Sequence, residues 1–91
     1  MKVVTLNSQK DDCWETEVLF VFSDINSVDN SKFLEKIKEG LHKYLGSIYY
    51  IVKEETVEKY ANLFLNELKA GKDHLFIEDY LYIDTEEVDV L

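Results

Sequence analysis

The residues best suited to chemistry lie near the C-terminus, in the run Phe76-Ile77-Glu78-Asp79-Tyr80-Leu81-Tyr82-Ile83-Asp84. In an extended strand, residues two apart share a side, about 6.6–6.8 Å from one another. That spacing puts Phe76, Glu78, Tyr80, Tyr82 and Asp84 in one row, with rings set among carboxylates. Such a row suits binding better than catalysis. Tyrosine offers a large contact area for little lost freedom and is enriched in interfaces, and carboxylates steer and select a basic partner. Asp79, Glu86 and Glu87 extend the negative field around this row. The tail acids Asp84, Glu86, Glu87 and Asp89 could also imitate a phosphate backbone, which carries a charge about every 3.4 Å per strand. Two plainer readings stand beside these. Tyrosines on a half-exposed strand pair across their neighbours, and acidic residues guard edge strands or solvate a frayed terminus.

Other chemical combinations are weaker. Glu35, Glu39 and His42 share one side of a helix, and Glu39-x-x-His42 is half of a carboxylate-bridged di-metal motif. The second helix has no histidine to complete it, and the site would lie opposite the apolar stripe, so a solvated helix face is expected. Asp11, Asp12 and Glu15 around Cys13 and Trp14 lack the alternation and turn glycine of a calcium loop. They read as a polar hairpin connection followed by a core or rim Trp. Cys13 would need a nearby histidine to act as a nucleophile. Neither His42 nor His74 is placed there by the sequence, so a semi-buried thiol is expected. Lys32, Lys36 and Lys43, with Lys38 on their flank, interleave with Glu35 and Glu39 as a mixed-charge face. No phosphate loop, nucleophile elbow, HExxH or paired zinc ligands occur. The chain is therefore expected not to be an enzyme and to need no metal or other cofactor.

Charge sharpens this picture. Ten lysines against nineteen acids give a net charge of −9, and there is no arginine. Residues 73–91 carry seven acids and no lysine. Such a field repels nucleic acid and anionic lipid and attracts basic proteins. Without arginine, the usual bidentate reader of phosphate and guanine is missing, so direct nucleic-acid binding is not expected. The single cysteine rules out an internal disulfide. Strand-sized apolar runs at Val18–Phe22 and Ile48–Val52, and an N-terminus with no long apolar stretch, point to a cytoplasmic protein outside any membrane.

Elements that could position these residues follow from periodicity. Lys2–Leu6 and Trp14–Phe22 read as a strand hairpin, the second strand with Val18, Phe20 and Phe22 on one face. Leu19 and Val21 on its other face give it a central place in a sheet. Residues 30–45 read as a helix with an apolar stripe of Phe33, Leu34, Ile37, Leu41, Tyr44 and Leu45. Asp29 or Asn30 would cap it, Val28 could staple onto Phe33, and Gly46 would end it. Ile48–Val52 reads as a short strand or as the first turns of the next helix, the strand being the favoured reading. A second helix over 54–70 buries Val57, Tyr60, Ala61, Phe64, Leu65 and Leu68 and stops at Gly71. His74–Ile83 then reads as one strand, with a possible frayed edge strand over 85–91.

Ninety-one residues make one domain, its last five or so frayed. The expected fold is α+β, in the order β-β-α-β-α-β. A mostly antiparallel sheet of three to four strands would carry both helices on one face. The expected function is that of an acidic protein-binding module, an inhibitor, immunity-type protein or nucleic-acid mimic of phage or mobile-element type, that occludes a basic partner surface. Its contacts would be Phe76, Glu78, Asp79, Tyr80, Tyr82, Asp84, Glu86 and Glu87. The alternative is a structural or regulatory homo-oligomer. There, tyrosines would meet across a twofold axis, or the last strand would pair edge to edge.

Overall fold

A computed structural model describes residues 1–10, 12–48, 52–78 and 80–89. Strands β1 (Lys2–Lys10) and β2 (Cys13–Phe22) form a hairpin whose turn holds Asp12 at a φ of 64°. A single 3-10 turn, Ile25–Ser27, leads into helices α1 (Asn30–Ile48) and α2 (Glu54–Lys69). A second hairpin of β3 (His74–Glu78) and β4 (Leu81–Glu87) closes the chain. The four strands make one antiparallel sheet in the order β2-β1-β4-β3, so the two hairpins meet along β1 and β4. The α+β class, the antiparallel sheet and the two helices on one face are as expected.

The element order differs, running β-β-α-α-β-β rather than β-β-α-β-α-β. Helix α1 does not stop at Gly46. It continues to Ile48, and Gly46 has no left-handed backbone. A glycine inside a helix costs about 1 kcal/mol, a cost that the packing of Leu41 and Leu45 into the core can offset. Of the strand expected at Ile48–Val52, residue 48 is helical, residues 52 and 53 belong to no element, and 49–51 lie outside the described residues. The strand expected over His74–Ile83 is two strands joined by a turn that contains Tyr80. β4 lies between β1 and β3, so the last described strand is internal to the sheet, where an edge strand was expected.

Position in the sheet corrects the reading of β2 as well, because β2 is an edge strand. Its register with β1 jumps between Val4↔Phe20 and Thr5↔Val18, which makes Leu19 the extra residue of a bulge. The bulge shifts the alternation by one. Phe20 and Phe22 turn to the helices, whereas Val18 and Val21 lie on the other face. Leu19 reaches α1 at Gly40, where a Cβ would stand 2.5 Å from a Leu19 methyl, so the missing side chain permits the close approach.

The helices fold much as their patterns dictate. Asp29 caps α1, its carboxylate accepting from the Ser31 and Lys32 amides at 2.9 and 3.3 Å. Gly71, at a φ of +86°, ends α2 in the left-handed conformation that glycine tolerates best. Phe33, Ile37, Leu41 and Leu45 of α1 and Val57, Ala61, Phe64, Leu65 and Leu68 of α2 are buried against Val4, Leu6, Phe22, Leu81 and Ile83 of the sheet. Phe33 stacks on Phe64, with ring centroids 6.1 Å apart. This core occupies one side of the sheet only. Among the described residues, no helix is long and apolar enough to cross a membrane.

Candidate protein-binding face

With both helices on one side, side-chain parity decides what the sheet presents on the other. On β1 that side carries Thr5 and Asn7, which the register sets opposite Asp84 and Tyr82 of β4 and opposite Val18 and Thr16 of β2. On β3, His74 lies opposite Asp84 and Phe76 opposite Tyr82. The middle strand contributes short polar side chains held by hydrogen bonds: Thr16 Oγ1 donates to Asn7 Oδ1 at 2.7 Å, and Asn7 Nδ2 donates to Thr5 Oγ1 at 3.1 Å. Thr5 and Asn7 are buried all the same, so they form a low floor between taller neighbours.

Those neighbours are mostly rings. Trp14 meets Tyr82 edge-on, with centroids 5.4 Å apart. Tyr82 lies 5.8 Å from Phe76 and 5.0 Å from the His74 imidazole, which is itself 4.5 Å from Phe76. The band crosses from edge strand β2 to edge strand β3, yet Trp14 remains 51% and Phe76 67% exposed. Val18 and Val21 add aliphatic surface beside it. A contiguous exposed patch of this kind marks an interaction surface more often than scattered apolar residues do.

Carboxylates stand next to the band. Asp84 Oδ1 accepts from the Thr85 amide at 3.0 Å and lies 3.4 Å from His74 Nδ1. Glu86 follows on the same side, opposite Val3 of β1. Lys2 pairs with Phe22 and Glu87 and so belongs to the helix side. No lysine occupies a register position on the open side, which leaves His74 as its one basic group among the described residues.

The residues expected to form one row are therefore divided. Phe76, Tyr82, Asp84 and Glu86 share the open face. The bulge between Phe76 and Glu78 sets Glu78 opposite Leu81, on the helix side. Tyr80 projects from the turn, 62% exposed, with its carbonyl accepting from the Gln9 amide. Glu87 also falls on the helix side, and its carboxylate receives the Met1 ammonium at 2.9 Å. That hydrogen bond holds the Glu87 carboxyl below the usual carboxylate range. Asp79 and residues 90 and 91 lie outside the described residues.

Trp14, His74, Asn7 and Thr16 are among the members of this face that the C-terminal pattern alone misses. Alternation within the first hairpin carries a signal for Trp14 and Thr16, but β2 must first be placed beside β1 and β4.

Elsewhere several charged groups pair with one another. His42 Nε2 meets Glu54 Oε2 of α2 at 2.6 Å, and Lys36 pairs with Glu39. No three His, Cys, Asp or Glu side chains among the described residues are grouped to hold a metal ion. An open cleft of about 410 Å³ lies between β2 and α1, bounded by Glu17, Lys36, Glu39 and Lys43. Its charges are internally paired, with Lys43 3.3 Å from Glu17. Burial, with the Glu17 carboxylate alongside, pushes the neighbouring Tyr44 phenol up. Cys13 is exposed at the end of the hairpin, not semi-buried as its apolar character suggests.

Fold and face together define a two-layer α+β domain with one side of its sheet left open, aromatic at the centre and acidic beside it. No protein-family model, curated protein or solved structure matches the chain.

Proposed function

We propose that this protein binds a basic surface of another protein through the open side of its sheet and blocks it. Inhibitors, immunity-type proteins and nucleic-acid mimics all work in this way. The carrying observation is the ring band Trp14–Tyr82–Phe76, exposed beside Asp84 and Glu86 on a face with no lysine. Exposed rings supply contact area, and carboxylates that no lysine faces select positive charge. The mechanism is occlusion, with no bond made or broken. Long-range attraction comes from the seven acids of residues 73–91 and speeds encounter, while the rings set how long the complex lasts.

Paired affinity capture tests this reading. Wild-type protein, a Phe76→Ala/Tyr82→Ala variant and a Glu35→Gln control on the exposed side of α1 serve as baits in the same lysate, washed at rising salt. Wild type and control should retain the same basic protein and release it as salt screens the charges. The double variant should lose that protein at least about tenfold faster, since interface truncations act mainly on dissociation. Equal retention by the double variant, an empty capture, or recovery of further copies of this chain alone would overturn the proposal.

A further inference from the structure

We infer that the group this face receives is an arginine guanidinium of the partner, lying on the Tyr82 ring, which Trp14 walls on the β2 side, and held by the Asp84 carboxylate on the other. The inference rests on the reading of the open face as a site for basic proteins and specifies which cation it selects. Two neighbouring demands lead to it. The rings offer flat π surface, Trp14 being half exposed and set edge-on to Tyr82. Asp84 is two residues from Tyr82 on β4, about 6.6–6.8 Å along the strand, and on the same side. A cation that satisfies both must stack flat and offer parallel N–H donors at its rim.

Guanidinium does this, being planar, weakly hydrated and fork-shaped. An ammonium is compact and strongly hydrated. It can approach a ring or a carboxylate, but it neither stacks nor forks. Charge complementarity fits, because Glu86 continues the negative side of the face and no lysine competes there. Asp84 itself is prepared for a donor. Both of its contacts, with the Thr85 amide and with His74 Nδ1, fall on Oδ1, and no described residue donates to Oδ2. His74 packs against Tyr82 and so limits from one side where a cation can rest. A single-stranded nucleic acid could stack on the same rings, but its phosphates would meet Asp84 and Glu86 with no basic group except His74 to receive them.

Trp14 is the chain's single tryptophan, so its fluorescence reports occupancy of this face directly. The probes are deca-arginine and deca-lysine peptides, titrated into the full-length protein at about 0.15 M salt. Deca-arginine should change the Trp14 emission and bind at least about fivefold more tightly than deca-lysine. Asp84→Asn should reduce that ratio towards one, and Tyr82→Leu should weaken deca-arginine more than deca-lysine. Unchanged far-UV circular dichroism would confirm that both variants are folded. If both peptides perturb Trp14 with equal affinity, the guanidinium assignment fails while the basic-partner reading stands. If neither perturbs Trp14, both fail.

Discussion

Thr85 presents its hydroxyl to the helix side of β4, 6% exposed, and Oγ1 has no hydrogen-bond partner there among the described residues. A buried unpaired hydroxyl costs roughly 1–3 kcal/mol of desolvation. Thr85→Val keeps the β-branched shape and removes that penalty, so the variant should be more stable by about 1 kcal/mol, read from its denaturant midpoint. A lower midpoint would show that the hydroxyl has a partner. Single residues were legible from sequence where one period governs them, as with the buried stripe from Phe33 to Leu45. They were not legible where a bulge resets the period. Val18 and Glu78 each sit beside such a reset and each changes side because of it. Trp14 was hidden for another reason. Its contact with Tyr82 joins strands 68 residues apart in sequence, across an intervening β1, and no local pattern encodes that meeting.

Elements carried most of the readable information. Asp29 at the start of α1 and Gly71 at the end of α2 act as their residue types predict. The turn between β3 and β4 was missed because Leu81 and Ile83 resume the phase of Leu75 and Ile77, with only Asp79 breaking it and no glycine, proline or asparagine between them. The seam between α1 and β2 supplies a prediction at this scale. The Tyr44 phenol has its pKa raised, first by burial and then by Glu17. A raised value means that the folded state holds the proton more tightly. Its contribution is complete below the unfolded value of about 10 and is lost as pH rises through the higher folded value. Tyr44→Phe removes this group, so wild type should lose more stability than the variant as pH rises above about 10. Parallel decline of the two proteins with alkaline pH would contradict the assignment.

The whole molecule is held together by the pairing of its first and last strands, Lys2 through Ser8 of β1 against Leu81 through Glu87 of β4. This long-range ladder makes β4 internal and both hairpins' outer strands edges, an arrangement that composition and periodicity do not specify. It also gives the sheet two unlike sides: helices cover the apolar side, and the rings and acids of the other remain in water. The central claim is that this side, not the acidic C-terminal segment as such, meets a basic partner. The measurement that tests it most directly is amide and indole chemical-shift mapping of the protein during titration with deca-arginine. The account predicts that the largest shifts fall on Trp14, Phe76, Tyr82 and Asp84, with the α1 and α2 amides little changed. Shifts confined to the acids of residues 86–89, or centred on the helices, would contradict it.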